Sequence, residues 1–233
     1  MAGATEGAPS MSARDDIFAN IRRSLGVTGK EATRRASVAQ RLAEAPRGIV
    51  PTRGQGSNAA RLATFLTEAQ RVSASNVVLD NAAAVPDEVA RYLREINAPL
   101  AVKIGQDERL AFLDWERAGV SVTQGPSDGS DLNAVSHAFA GVAETGSLVI
   151  LSGPENPATL NFLPDNHLVV LAAADLAGDL ENVLARLRTQ YGKAIMPRTF
   201  NIITGPSRSA DIEQTLLLGA HGPRRLHIII TLG

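Results

Sequence analysis

Three polar turns carry the side chains on which chemistry could be built. The first, Glu144-Thr145-Gly146-Ser147, sets a carboxylate, two hydroxyls and a glycine directly ahead of an apolar run at residues 148–151. A short continuous apolar run bounded by turn residues is the pattern of a strand buried on both faces of a parallel sheet, so the turn is expected at the end of a core strand. Gly146 can take φ > 0 or admit a ligand close to the backbone. Glu144 is the only carboxylate between Asp131 and Glu155; it reads either as a functional carboxylate or as a group that caps or solvates a strand end. The second turn, Thr204-Gly205-Pro206-Ser207-Arg208-Ser209-Ala210-Asp211-Ile212-Glu213, follows an apolar segment at 200–203. With a helix expected over 209–218, Ser207 or Ser209 would cap it, and Arg208 beside its N–H groups would make a seat for a carboxylate or phosphate. Asp211 and Glu213 in the first turn can satisfy the same dipole. The third turn, Gly219-Ala220-His221-Gly222-Pro223-Arg224-Arg225, places His221 between flexible positions, where a histidine is a better proton-transfer candidate than one inside a strand.

His227 falls inside the final apolar strand and His167 at the start of another, and both read as structural. No G-x-S-x-G occurs, so a Ser-His-Asp nucleophile arrangement does not follow from local motifs. Neither G-x-G-x-x-G after an early strand nor G-x-x-x-x-G-K-[ST] is present, so no nucleotide site is signalled. The four histidines show no H-x-x-x-H spacing, and no metal is expected.

The elements that must position these turns alternate in type. Extended segments at 77–79, 100–104, 120–123, 147–151, 167–172, 199–203 and 226–231 are separated by helical patterns at 58–70, 86–96, 107–116, 180–191 and 209–218, while residues 132–143 fit either type. Strands alternating with helices imply right-handed crossovers and a mainly parallel, Rossmann-like α/β sheet, with ligands beyond the carboxyl ends of its strands. Ahead of this domain, residues 12–25 read as a helix with Ser12 as cap and Arg22-Arg23 at its end. Its stripe of Ile17, Ile21 and Leu25 needs a surface to bury against, in this domain or on a partner subunit. Residues 29–56 are charged, Ala-rich and then broken by Pro and Gly; a helix near 36–43 and a linker are expected there. The division is thus a helical arm and linker, 1–57, and an α/β domain, 58–233.

A net charge of -1 over 233 residues argues against a polyanion-binding protein, and no nucleic-acid partner is expected. With no cysteine, the chain cannot form disulfides, thiolate nucleophiles or cysteine-ligated clusters. No membrane-length apolar stretch or basic-then-apolar leader is visible, so a cytoplasmic location is expected.

Three motifs in order, A-E-T-G-S-L-V-I-L, G-P-S-R-S-A-D-I-E and G-A-H-G-P-R-R-L-H, make the chain from residue 58 onward resemble the LUD-domain family on its lactate-utilization side, with serine at 147 and 209 where the family usually has threonine. The resemblance implies a sheet of the NagB/RpiA/CoA-transferase-like kind. It implies a component of a system oxidising L-lactate to pyruvate, cytoplasmic, with iron–sulfur clusters on partner proteins of the same operon and no cofactor on this chain. In that role Glu144 or His221 is the catalytic candidate, and Thr145, Gly146, Ser147, Gly205, Ser207, Arg208, Ser209 and Asp211 are expected to bind a small carboxylate. The Glu-x-Gly turn is also similar to the nucleophilic glutamate turn of class I CoA-transferases, which implies a free-standing acyl-transferring or cyclo-ligase-like enzyme instead.

Overall fold

A computed structural model describes residues 12–193, 195–212, 215–219 and 221–233. Its contacts divide the chain into two compact units, residues 1–47 and 48–233. In the first, α1 (Ala13–Leu25) starts at Ser12, whose hydroxyl accepts the Asp15 N–H, and stops at Gly26 in the left-handed region (φ 63°). A second helix, α2 (Ala32–Glu44), extends well beyond the short helix expected at 36–43.

The second unit contains α3 (Asn58–Arg71), α4 (Val85–Glu95), α5 (Glu108–Ala111) and α6 (Leu180–Tyr191). Its strands are β1 (Ser75–Leu79), β2 (Ala101–Ile104), β3 (Ser121–Gln124), β4 (Asn133–His137), β5 (Ala140–Val142), β6 (Ser147–Leu151), β7 (Asn166–Ala172), β8 (Leu176–Ala177), β9 (Phe200–Ile203), β10 (Arg208–Ile212), β11 (Thr215–Leu218) and β12 (Arg225–Thr231). Six of them form a parallel sheet in the order β1-β12-β7-β4-β2-β3. The α/β class with a parallel sheet is therefore as the strand and helix pattern implied.

The central strands β7 and β12 read as continuous apolar runs because both of their faces are covered. Leu168, Val170 and Ile229 pack against Val85, Val89 and Leu93 of α4. The alternate residues Val169, Leu171, Ile228 and Ile230 meet Phe65 and Ala69 of α3 together with Leu148 and Ile150 of β6. α4 opens with Pro86 and the acidic pair Asp87 and Glu88, a start that suits both proline geometry and the helix dipole. Gly54 and Gly178 touch so closely that a Cβ on Gly54 would lie 1.9 Å from the Gly178 carbonyl oxygen, which fastens the 48–57 segment to the larger unit.

Three expectations are corrected and one open segment is settled. β6 does not join the parallel sheet. It lies in a second sheet, β8-β5-β6-β9, antiparallel to both of its neighbours; a run buried on both faces looks the same in either setting. The unassigned 132–143 segment forms β4 and β5, one strand in each sheet. The helix expected at 107–116 is the single turn α5, followed by turns. The helix expected at 209–218 is instead the antiparallel pair β10 and β11, with Arg208 opposite Leu218. Gly219 N–H bonds to the Ser207 carbonyl at 3.1 Å and Ser207 N–H to the Pro223 carbonyl at 2.8 Å, so both ends of the segment are tied side by side. That tertiary constraint outweighs helix preferences worth only tenths of a kcal/mol per residue, roughly. Among the described residues no helix is long and apolar enough to cross a membrane.

Candidate functional site

The second and third polar turns meet around one cavity of about 290 Å³, walled by Asn161, His167, Thr204, Gly205, Ser207, Arg208 and His221. β9 delivers Thr204 and Gly205; the approach to β12 delivers His221, Gly222 and Pro223. Gly222 lies so near the second turn that an added Cβ would sit 3.4 Å from Ser207 Cβ. Gly205 has φ 77°, and a Cβ there would fall 2.3 Å from the Val72 carbonyl oxygen at the end of α3. Only glycine meets both conditions.

The first turn is adjacent but does not contribute its carboxylate to this cavity. It joins β5 to β6, and Gly146 (φ 64°) presses on α3, where a Cβ would lie 2.3 Å from Ala69 N. Ser147 Oγ bonds to Thr145 Oγ1 at 2.7 Å and to Thr204 Oγ1 at 2.6 Å, so a row of hydroxyls links the first turn to the second. Glu144 is buried (7% exposed) and turns toward α6, where one carboxylate oxygen accepts the Leu180 N–H at 3.3 Å. Its other oxygen has no hydrogen-bond partner among the described residues. Ser209 and Asp211 lie in β10, so the helix terminus expected to seat a carboxylate beside Arg208 does not form; Glu213 lies outside the described residues.

The cavity's innermost polar groups are ones that local sequence reasoning passed over. His167 is 1% exposed; its Nε2 lies 3.0 Å from Ser136 Oγ, which donates its own proton to Asn161 Oδ1 at 3.2 Å. The serine proton being used, His167 must donate through Nε2, which leaves Nδ1 a bare acceptor. Nδ1 has no partner among the described residues, and neither does the donor Asn161 Nδ2. Burial alone pushes the His167 imidazole down to about 3, so it is neutral at neutral pH. The available signal was a histidine at the mouth of a fully apolar strand, behind Asp165 and Asn166.

This cavity opens at the amino ends of β7 and β12, not at the carboxyl ends where the sheet rule places ligands. The carboxyl ends of β2 and β4 border a separate cavity of about 290 Å³ that includes Asp107, Arg109, His137, Asn156 and Arg186, none of them anticipated. Arg109 binds Asp107 through two nitrogens at 2.9 and 2.6 Å. Burial would raise the Asp107 carboxyl, but that guanidinium holds it below its ordinary range. Burial and then Arg109 push His137 down. Arg186 lies over the Phe139 ring at 4.5 Å and pairs with Asp175 at 2.7 Å. Asn156 Nδ2 donates to Asn161 Oδ1 at 3.4 Å, so a buried polar chain, His167–Ser136–Asn161–Asn156, runs from one cavity to the other.

Residues 130–231, which hold all three turns and the first cavity, match the LUD domain family model. This part of the chain is similar to the LUD domain. The chain is 33% identical over 146 residues to an uncharacterized protein of Neisseria meningitidis serogroup B, covering 60% of this chain and 62% of that protein. It is 31% identical over 129 residues to lactate utilization protein C of Geobacillus thermodenitrificans, covering 51% of this chain and 54% of that one. The chain thus spans little more than half the length of these curated relatives. A crystal structure of a DUF162 family protein from Deinococcus radiodurans superposes on 76% of this chain and 99% of that one, with a TM-score of 0.54 at 20% identity, a likeness of fold.

Proposed function

We propose that this chain is the cluster-free component of a lactate-utilization system, in which L-lactate is oxidised to pyruvate together with iron–sulfur partner proteins, and that its cavity seats the 2-hydroxycarboxylate. The similarity to proteins named lactate utilization protein C supports the pathway. The observation that carries the site is the pair of buried atoms without partners among the described residues, the acceptor His167 Nδ1 and the donor Asn161 Nδ2. An alcohol hydroxyl is donor and acceptor at once and satisfies both; Arg208 and His221 on the same wall suit the carboxylate. Oxidation removes the hydroxyl proton and the C2 hydrogen with its electron pair. The chain has no cysteine with which to hold a cluster, so a partner would take the electrons.

The test has two parts. Calorimetric titration of the full chain should bind L-lactate at least about tenfold more tightly than propionate, since a hydroxyl-shaped site left unfilled keeps its polar groups unpaired. His167→Gln should erase that preference, and equal binding of lactate and propionate by the wild type would remove the site from the proposal. Lactate-dependent dye reduction by the iron–sulfur partners should need the chain. A second reading, acyl transfer through Glu144, draws on its unpartnered buried oxygen. Dye reduction lost in Glu144→Gln, with the assembly and lactate binding intact, would favour a chemical role for that turn.

A further inference from the structure

On the far side of the parallel sheet from the lactate cavity's histidine, the structure assembles a different set of reactive groups. β1 and β12 are parallel neighbours with Ser75 in register with His227. Ser75 Oγ lies 2.8 Å from His227 Nδ1, and His227 Nε2 lies 2.9 Å from Glu88 Oε1. Glu88 and Tyr92, one turn apart on α4, hold the imidazole at its edge and on its face; the Tyr92 ring stacks on it at 4.0 Å and 10°. Arg91 grips Glu88 through two nitrogens at 2.7 and 2.6 Å. Burial works against the Glu88 carboxylate, but Arg91 and His227 together hold it ionised. An ionised carboxylate only accepts, so Nε2 carries the ring proton and Nδ1 faces the serine hydroxyl as a base. Two other oxygens lie near Ser75: the Leu226 carbonyl at 3.5 Å, too long to compete, and the Tyr92 hydroxyl, which shares a side-chain hydrogen bond with Ser75.

A histidine that merely satisfied the core would be enclosed with its partners. Here His227 is 2% exposed and Glu88 7%, whereas Ser75 is exposed and opens onto a groove of about 240 Å³. Tyr92, Arg208, Arg224 and Arg225 line that groove with it. Arg224 has Asp165 at 3.5 Å, and Arg225 reaches the neutral Asn166 at 3.2 Å, so cations outnumber anions beside the serine. We propose that Ser75, with His227 as general base and Glu88 as the residue that orients it, is the nucleophile of an acyl-transfer site for esters or thioesters of acids that carry a second, anionic group.

The reaction is hydrolytic and balances without a redox partner. Ser75 Oγ bonds to the acyl carbonyl carbon as its proton passes to His227 Nδ1. The tetrahedral centre collapses, the bond to the leaving oxygen or sulfur breaks, and that atom takes the proton from Nδ1. Water then adds to acyl-Ser75 with its proton going to His227, and the carbon–Oγ bond breaks as Oγ recovers that proton. The arginines hold the substrate's anionic group and oppose charge on the carbonyl oxygen.

The experiment treats the purified full chain with a fluorophosphonate and maps the adduct by peptide mass spectrometry, which needs no variant to fold. The phosphonyl group is expected on Ser75; a chain with no adduct there overturns the assignment. In parallel, hydrolysis of the mono-4-nitrophenyl ester of succinate is followed beside that of 4-nitrophenyl acetate. Ser75→Ala should lower the succinate rate at least about 100-fold and Glu88→Gln at least about tenfold. Arg225→Gln should narrow the succinate-over-acetate ratio of kcat/KM about tenfold. A Ser75→Ala protein that hydrolyses succinate ester at the wild-type rate overturns the proposal. Lactate binding, which uses His167, is expected to survive Ser75→Ala.

Discussion

His167 provides a direct physical test of the buried polar chain. Its imidazole is wholly enclosed, and enclosure alone lowers it from 6.5 to about 3 in the folded protein. The unfolded chain therefore binds a proton that the folded chain refuses wherever the pH lies between those values. The stabilising neutral state is fully present above about pH 6.5, and stability falls as pH drops below the unfolded value, levelling only near pH 3. Between pH 7 and pH 5 this one group should cost about 2 kcal/mol, from ~1.4 kcal/mol per pH unit over the pH range below 6.5. His167→Gln removes the titration while an amide can still donate to Ser136. Urea denaturation at several pH values reads the difference through the midpoint at constant slope. The wild type should lose about 2 kcal/mol more than His167→Gln between pH 7 and pH 5. His137 and His227 are also lowered by burial and remain in both proteins, so their contribution cancels in the comparison. Parallel losses in the two proteins would mean that His167 is hydrated or paired, and would refute the reasoning about its bare Nδ1.

The glycine turns and the α6 cap give sharper structural tests. Gly146→Ala and Gly205→Ala each force a side chain into the left-handed region with its Cβ 2.3 Å from α3 backbone or the Val72 carbonyl oxygen; each should cost more than about 2 kcal/mol in urea melts. Asp179 caps α6 by accepting the Asn182 N–H at 2.9 Å and also accepts from Gln55 at 2.8 Å. Asp179→Ala should cost about 1 to 2 kcal/mol, and hydrogen exchange should show the 180–184 amides exchanging faster.

Much of the architecture was legible in the chain. Pro86 with two acids after it marked the start of α4, and β7 and β12 were evident as apolar runs, because such signals act within a few residues of where they occur. The site was half legible. Gly205, Ser207, Arg208 and His221 were identifiable as turn residues, and they do wall one cavity. That Glu144 points to α6, and that Arg208 starts a strand in place of a helix beside it, was not readable, since hairpin and helix compete there over small local preferences.

By itself the sequence determined the alternation of elements, the absence of cysteine chemistry, the glycine positions at which only a bare backbone fits, and the LUD-domain motifs. The tertiary structure alone decided the partners of the buried side chains. Ser75 and His227 are 152 residues apart, and Ser136 and His167 are 31 apart, yet each pair meets within 3.0 Å. Both histidines looked alike as residues in apolar strands. One became an enclosed imidazole whose Nδ1 has no partner among the described residues, the other an imidazole between a serine and a carboxylate, because strand order sets which side chains become neighbours and no local pattern encodes that order.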